Sequence, residues 1–415
     1  MKLNQWTVCL ATAGVISLAS AVNAEEASSQ VMTALSSTTL SGYVDTSAIW
    51  KFGSGSTVVG RSYDGSNKQD GFNLNVVKLS LEKPLTEDQW SAGYKVDLLF
   101  GPDANTVATA VGARSDFTVK QAFVALRVPV GNGLDLKMGV WDTIIGYEVF
   151  DAGNNPNYSR SFGYGLEPTT YTGLLASYKV ADWMSISGGV ADPGLNAGGP
   201  GSGVTINSRS GIESVKSYMG SVVFTAPESW GALKGAALYA GIIDHGKQVA
   251  ASVDTQSYYV GVTTPTGLEG LSVGAAYDYR GFSHNKVMPS GYANAASFYT
   301  TYKHDKWSFN NRFEYATSGN SYDAFGVGYG GNNYPDIRAE SLAAAAEVGT
   351  PNRHPQLIGE TFTVDYSLWA NVISRVEFRW DHDLRGGPGG PFATDRYANG
   401  QKNAISLALN VIYKF

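Results

Sequence analysis

The chain has 415 residues, of which 16% are charged and 49 are glycine, and its formal net charge is −6. An acidic balance argues against general nucleic-acid binding, which depends on lysine and arginine contacts to phosphate. The single cysteine, Cys9, lies within the first predicted element. A disulfide framework or a thiolate site elsewhere is therefore excluded. After this element no run of 18 apolar residues occurs, which excludes membrane-spanning helices.

Residues 1–24 have the pattern of a secretory signal peptide. Lys2 is their only charged residue, and an apolar run follows it. Val22 and Ala24 stand at the two positions that a signal peptidase reads. An uncleaved anchor helix would need about 20 apolar residues, more than this run offers. We therefore expect cleavage after Ala24 and export of residues 25–415 as one domain.

Segments of strictly alternating apolar and polar residues follow along the exported chain. Between 271 and 281, for example, Tyr277 and Tyr279 alternate with Asp278 and Arg280. This period of two is typical of a β-strand with one apolar and one polar face. The pattern predicts sixteen strand cores, at 40–52, 72–83, 90–100, 117–129, 133–141, 170–180, 182–191, 213–225, 232–243, 255–264, 270–281, 294–304, 306–317, 359–369, 371–382 and 402–415.

The predicted connections alternate between short and long. The short ones include Gly131-Asn132, Ala181, Asp305 and Ala370. The long ones are 53–71, 101–116, 142–169, 192–212, 244–254, 282–293, 318–358 and 383–401. Short turns on one side and long loops on the other are typical of outer-membrane barrels, whereas a soluble sandwich has no reason to sort its loops. We predict an all-β, transmembrane, antiparallel up-and-down barrel with short periplasmic turns and long extracellular loops.

The strand count depends on the long external loop 318–358. Residues 337–348 have good helix propensity, which favours a short external helix and sixteen strands. Alternatively, Phe325, Val327 and Tyr329 form part of a further strand, which gives eighteen.

Aromatic residues mark both ends of the predicted strands. Aromatic side chains favour the two membrane–water boundaries, so we expect two girdles. The tryptophans expected there are Trp50, Trp90, Trp141, Trp183, Trp230, Trp307, Trp369 and Trp380. The final alternating strand includes Tyr413 and ends at Phe415, similar to the C-terminal signal that the barrel assembly machinery reads. This strand must pair with the one near Leu40 if no open edge is to face lipid.

Four sequence pieces, in order, resemble the putative β-barrel porin-2 (OmpL-like) family. They are Ser41-Gly42-Tyr43-Val44-Asp45-Thr46, Gly131-Asn132-Gly133-Leu134-Asp135-Leu136-Lys137, Gly146-Tyr147-Glu148 and Asn155-Pro156-Asn157-Tyr158-Ser159-Arg160-Ser161. The pieces cover about the first half of the exported chain. The second half resembles the family only in its alternating pattern and its C-terminal Phe415. Ile144 departs from the family pattern, in which proline is expected after Thr143. The resemblance implies an outer-membrane porin and brings no catalytic residues.

We therefore expect a passive channel for small hydrophilic solutes and ions, with a charged lumen. The third long loop, 142–169, is the candidate constriction, because the corresponding loop of general porins folds inward. Its charged candidates are Glu148, Asp151, Arg160 and Glu167, with the acids facing basic wall residues. The lumen-lining candidates are Lys95, Asp97, Asp135, Lys137, Asp278, Arg280, Arg312, Glu314, Arg375, Glu377 and Arg379. Alternatively, these residues form salt bridges that only stiffen the wall.

Two other classes of function remain open at this stage. An adhesin or structural barrel would act through the external loops, and an outer-membrane enzyme would need a nucleophile with a base in reach. No G-x-S-x-G motif frames a serine, so we expect no enzyme, no catalytic residue and no cofactor. The oxygen-rich run from Asp64 to Asp70 lacks the full spacing of a calcium loop and is expected to be a turn without metal. The expected partners are outer-membrane lipid, the barrel assembly machinery and small solutes, with a homotrimer by analogy only.

Overall fold

In the computed structural model, part of the chain forms one closed barrel. The structure describes residues 31–32, 37–52, 61–107, 116–193, 206, 215–247, 254–283, 290–319, 356–384, 387–388, 399–400 and 402–415. The predicted signal 1–24 and residues 320–355 of the long external loop lie outside these described residues.

Sixteen strands form the barrel, as the alternation predicts. They are β1 Thr39–Phe52, β2 Gly71–Lys83, β3 Ala92–Phe100, β4 Phe117–Val128, β5 Leu134–Asp142, β6 Thr170–Ala181, β7 Met184–Ala191, β8 Ser217–Thr225, β9 Ala237–Lys247, β10 Asp254–Pro265, β11 Leu271–Phe282, β12 Gly291–His304, β13 Trp307–Gly319, β14 Gln356–Tyr366, β15 Val372–Asp383 and β16 Asn403–Lys414.

Each strand pairs antiparallel with its neighbour along the chain, and β16 pairs with β1 to close the sheet. Closure leaves no strand edge in lipid, where an unpaired backbone group costs several kcal/mol. The eighteen-strand alternative is wrong, because β13 pairs directly with β14 from Trp307–Tyr366 to Thr317–Gln356. No space remains between these strands for another pair. Residues 325–329, which suggested the extra strand, lie outside the described residues.

Most strand ends lie within two residues of the predicted ends. The larger differences are that β8 begins at Ser217 and not at 213, β9 ends at Lys247 and not at 243, β12 begins at Gly291 and not at 294, and both β9 and β14 differ near short turns. The predicted start of β9 at residue 232 is wrong, because Glu228–Leu233 forms a 3-10 turn and Gly235 has a positive φ of 81°. The predicted span 359–369 is displaced by three residues, because the backbone leaves the strand after Tyr366 and Trp369 lies in the turn.

Few of the described residues form helices. Among them the α-helices are α1 Pro102–Val107 and α2 Phe162–Leu166, with 3-10 segments at Ser66–Lys68 and Ala152–Asn154 and two-residue strands at Val31–Met32, Gly387–Pro388 and Asn399–Gly400. Within the described part of the chain, no helix has the length and apolar character needed to cross a membrane.

The two faces of the strands differ sharply in chemistry. On β13, Phe313 is 46% exposed on the outer face, whereas its neighbours Arg312 and Glu314 are fully buried inside. On β15, Phe378 is likewise exposed and Arg379 is buried. Apolar side chains thus face lipid and charged side chains face the interior, as in an outer-membrane barrel.

The tryptophans lie mostly where the aromatic girdles were expected. Five are exposed at the short-turn ends, namely Trp90, Trp183, Trp230, Trp307 and Trp369. Trp50 and Trp380 lie half-buried on the outer face near the opposite ends of their strands. The prediction for Trp141 is wrong: it is 1% exposed and faces inward, where it packs with Tyr171. Trp141 lies an even number of residues from the inward-facing Asp135 on β5. The alternation by itself therefore already placed Trp141 on the inner face.

The C-terminal residues seal the barrel on its short-turn side. The Phe415 N–H donates to the Gly42 carbonyl, and the Gly42 N–H donates back to the Phe415 carbonyl, both at 2.9 Å. A side chain at Gly42 would collide with the Phe415 ring, which explains glycine at this position. Tyr413 lies on the outer face and is about half exposed.

The difference between the two faces predicts the result of placing one charge on each. Leu174→Arg, on the outer face of β6, should lower the free energy of unfolding in lipid vesicles by about 2–4 kcal/mol. Ser177→Arg, on the inner face of the same strand, should cause a much smaller loss because its charge stays hydrated. Urea titration of the vesicle-embedded protein measures both. Equal losses would contradict the assigned faces.

Candidate pore constriction

The segment 142–169 between β5 and β6 lies inside the barrel. Glu148, Asn157 and Arg160 within it are all almost fully buried. Its helix α2 packs against β11 and β12, and Ser161 caps the helix by accepting from the Tyr164 N–H at 3.0 Å. An exposed surface loop would not bury so many polar side chains, so the segment is part of the interior.

An apolar cluster fixes the start of this segment. Ile144 and Ile145 are buried against Trp141 and Tyr171. Further along, Tyr147 stacks on Tyr299 of β12 with ring centroids 4.0 Å apart. The isoleucines that depart from the family pattern are therefore anchoring residues, which make the entry of the loop apolar.

A charge cluster joins the segment to β13. Arg312 donates to Glu148 at 2.8 Å and to Glu314 at 2.8 Å, and all three side chains are fully buried. Glu148 also accepts from the Ser161 N–H at 2.7 Å and from the Tyr299 hydroxyl at 3.2 Å. Buried charges persist only when they are paired and hydrogen-bonded, and here each carboxylate has several donors.

Wall residues on β15 bind the backbone of the segment. Glu377 accepts from the N–H groups of Tyr158 and Ser159, at 2.6 and 3.0 Å. Arg375 donates to the carbonyls of Ala152 and Asn155, at 2.7 and 2.8 Å. The wall thus supplies the polar partners that a segment without regular secondary structure needs when it is buried.

The other predicted constriction residues have different surroundings. Asp151 accepts from Lys78 of β2 at 2.8 Å and from the Tyr43 hydroxyl of β1 at 2.9 Å. Glu167, at the end of α2, lies near Asp278 of β11, and burial, followed by the nearby Asp278 and Glu148, raises the pKa of Glu167.

Arg160 is held by carbonyls and aromatic rings. Its guanidinium donates to the carbonyl of Tyr158 at 2.7 Å and to that of Phe150. It also lies over the rings of Tyr63 and Tyr164, at 5.3 and 5.6 Å from their centroids. Asp45, Asp64 and Asp103 line the same cavity as Arg160, and the charges of Glu148 and Asp45 act on its guanidinium. Arg160 therefore adds one cation to a part of the interior that also holds carboxylates.

The first long loop also enters the barrel, which the sequence reasoning missed. Arg61 donates to Glu314 and Asp381 and lies 3.7 Å from the centre of the Phe162 ring. Asp64 accepts from Arg379 at 2.5 Å. Arg61 therefore ties the first loop, the third loop and the wall together. No pattern in residues 53–71 signals this, although the alternation could have identified Asp381.

The remaining lumen candidates lie on the inner face and fall into pairs and single charges. Asp97 is paired with Lys78 at 3.2 Å, and Asp135 with Arg127 at 2.7 Å. Lys95 pairs with Glu82 at 3.0 Å. Lys137 lies 5.1 Å from the centre of the Phe123 ring, and Arg280 of β11 is buried.

Two of the three candidate acids contact the basic wall directly, where the sequence suggested that the acids face it across an opening. Glu148 touches Arg312 and Asp151 touches Lys78. Direct contact follows from burial, because two opposite charges removed from water repay their desolvation only at hydrogen-bond distance. The segment is consequently held against the wall between β11 and β2.

The oxygen-rich run in the first loop has its carboxylates engaged. Asp64 accepts from the Arg61 N–H as well as from Arg379, and Asp70 accepts from the Lys51 N–H at 2.9 Å. In the described ranges, no cluster of three histidine, cysteine or acidic side chains is placed to hold a metal.

Solved structures of outer-membrane channels share this architecture at low sequence identity. DcaP of Acinetobacter baumannii matches with a TM-score of 0.56 and 10% identity, over 93% of this chain and 99% of that one. OmpF of Salmonella typhi matches with a TM-score of 0.55 and 12% identity, over 93% and 100%. The trimer form of OmpT from Vibrio cholerae matches with a TM-score of 0.53 and 12% identity, over 91% and 99%. At such identity these matches establish the barrel fold alone.

A comparison with curated proteins finds no match. The family described as putative beta-barrel porin-2, OmpL-like, matches residues 37–415, which is most of the chain. Together with the closed sixteen-stranded barrel and its inward-folded third loop, this match identifies the chain as a member of the putative β-barrel porin-2, OmpL-like family of outer-membrane porins.

Proposed function

We propose that this porin is a passive diffusion channel for small hydrophilic solutes and ions, without enzymatic activity, and that the segment 142–169 forms its constriction. The observation that carries the proposal is the position of this segment inside the barrel, bound to β13 and β15 through Arg312 and Glu377. A barrel of sixteen strands is wide enough for an aqueous channel, and an internal loop narrows it.

Selectivity in such a channel depends on fixed charges at the narrowest level. Glu148 brings a negative charge that pairs with Arg312, whereas Arg160 brings a positive charge that donates to backbone carbonyls and lies over two aromatic rings. The two residues therefore influence passing ions in opposite directions.

Neutralising these two residues should move ion selectivity in opposite senses. In planar bilayers under a salt gradient, Glu148→Gln should shift the reversal potential toward anion preference, because Arg312 then keeps Glu314 as a carboxylate partner but one negative charge is lost. Arg160→Gln should shift it toward cation preference, because one positive charge is lost.

The control is Asp182→Asn in an exposed short turn, which should leave the reversal potential unchanged. Unchanged selectivity in both test variants would remove the segment from the conduction pathway. Absence of single-channel steps from the unaltered protein would refute the channel itself.

Removing Arg61 should loosen both internal loops. Arg61→Gln leaves Glu314 and Asp381 with one cation fewer, and breaking a buried ion pair costs about 3–5 kcal/mol. Urea titration should show this loss, and single-channel records should become noisier. The control Lys179→Gln breaks an exposed pair with Asp182 and should cost about 1 kcal/mol or less. Equal losses in the two variants would contradict an anchoring role for Arg61.

Export through a cleaved signal and assembly as a homotrimer complete the proposal. The signal pattern of residues 1–24 supports export, and the terminal Phe415 supports folding by the barrel assembly machinery. The solved trimer form of OmpT makes a trimer the natural assembly to test. Mass spectrometry of the protein from outer membranes should give Glu25 as the first residue, and retention of residues 1–24 would contradict cleavage.

A further inference from the structure

The segment 142–169 covers only one part of the inner wall. Its contacts begin at Gly241 of β9, where a side chain would collide with Ile145, and continue past β13 and β15 to Lys78 of β2, which binds Asp151. Inward-facing side chains along this arc are fully buried, as Arg312 of β13 is. The helix α1 packs on β2, β3 and β4. The described loops therefore leave β5–β8 as the least covered strands of the inner wall.

The inner face of β6–β8 is accessible on the short-turn side of the segment. Leu175 of β6 and Met219 of β8 are buried under the entry of the segment. The next inward-facing residues toward the short turns are Ser177 and Ser221, with Ser187 between them on β7, and all three are partly exposed. A solute that passes the segment on this side therefore meets three serine side chains.

The three serines form one row across neighbouring strands. Ser177 is in register with Ser187, their hydroxyl oxygens are 2.9 Å apart, and Ser187 is in register with Ser221. Neighbouring strands lie about 4.8 Å apart, so the row is about 10 Å long. Neither β7 nor β8 contains a charged residue. The row therefore offers hydroxyl donors and acceptors to the neutral part of a solute.

An ammonium group stands at one end of this row. Lys137 of β5 faces inward, is partly exposed and is in register with Leu175. Ser177, the next inward residue on β6, is its diagonal neighbour, and such neighbours are about 7–8 Å apart. The Lys137 ammonium lies 5.1 Å from the centre of the Phe123 ring, which attracts the cation and limits its movement.

The charge of Lys137 is not cancelled by a neighbouring acid. Among the described residues, no carboxylate forms an ion pair with it. Three acids act on it only from a distance, and each is paired with another cation: Glu82 with Lys95, Asp135 with Arg127, and Asp142 with Lys120. An ammonium that borders the lumen without a partner attracts anions, and it binds a carboxylate through a charge-assisted hydrogen bond.

We infer that the passage beside β5–β8 binds small hydroxylated carboxylates, the class of the sugar acids. Lys137 holds the carboxylate, and the row of Ser177, Ser187 and Ser221 binds the hydroxyl groups. A neutral polyol uses the row alone, and a carboxylate without hydroxyl groups uses the lysine alone, so a solute with both binds more tightly than either. This inference rests on the proposed diffusion channel and adds to it the chemical class of its solute.

Block of the single-channel current tests the inference with three probes of equal carbon number. Gluconate has a carboxylate and hydroxyl groups, glucitol has hydroxyl groups only, and hexanoate has a carboxylate only. Each is added to the protein purified from outer membranes, in planar bilayers at about 0.1 M potassium chloride, where charges act over about 10 Å. Gluconate should halve the current at a concentration about tenfold lower than glucitol or hexanoate, because it alone makes both kinds of hydrogen bond.

Each variant should remove one of these contrasts. Lys137→Met should raise the half-blocking concentration of gluconate about tenfold, to that of glucitol, and should leave glucitol unchanged. Combined Ser177→Ala, Ser187→Ala and Ser221→Ala should bring gluconate to the level of hexanoate and leave hexanoate unchanged. Lys137→Arg keeps the charge and should keep the preference for gluconate.

The matched control is another inward-facing lysine of the same wall. Lys179 of β6 is paired with Asp182, so Lys179→Met should leave the half-blocking concentrations of all three probes unchanged. A variant that gives single-channel steps of the unaltered conductance has folded, and Lys137→Gln replaces Lys137→Met if the methionine variant gives none.

Two results would overturn the inference. One is gluconate that blocks no better than glucitol or hexanoate, and the other is a preference for gluconate that survives loss of the lysine or of the three hydroxyls. The two proposals fail separately. Absence of single-channel steps from the unaltered protein overturns the channel, whereas steps without block by gluconate overturn only the class of solute.

Discussion

The structure depends on one constraint, namely that lipid satisfies neither backbone hydrogen bonds nor charges. Because lipid offers no backbone hydrogen bonds, every strand needs a partner strand on each side. The pairing of β16 with β1, for example between Val411 and Thr46, supplies the last of these partners. The second half sorts the side chains, so that Phe313 faces outward while Arg312 and Glu314 face inward. The charged interior is thus a consequence of the apolar exterior.

A barrel of this width has more interior surface than sixteen strands can fill, and here two loops occupy part of it. The third loop enters through an apolar anchor, Ile144 and Ile145, and is then held by ion pairs and backbone hydrogen bonds from the wall. The first loop adds Arg61, which bridges two wall acids and the Phe162 ring. Because these charges are buried, removal of one partner leaves the others with less compensation, which is costly away from water.

The sequence by itself determined the alternation of the two strand faces and narrowed the strand count to sixteen or eighteen, and the direct pairing of β13 with β14 in the structure decided for sixteen. These features are local, because period two and turn residues can be read without knowing the partner strand. The sequence also identified Arg312, Glu314, Arg375 and Glu377 as inward-facing, because side chains alternate between the two faces along each strand. Only the tertiary structure decided which charges meet. The pairs Glu148–Arg312 and Arg61–Asp381 join residues more than 160 positions apart, and no local pattern encodes such a separation. Trp141 is a different case, because the local alternation did place it on the inner face, and the prediction of a boundary position relied on its place at a strand end instead.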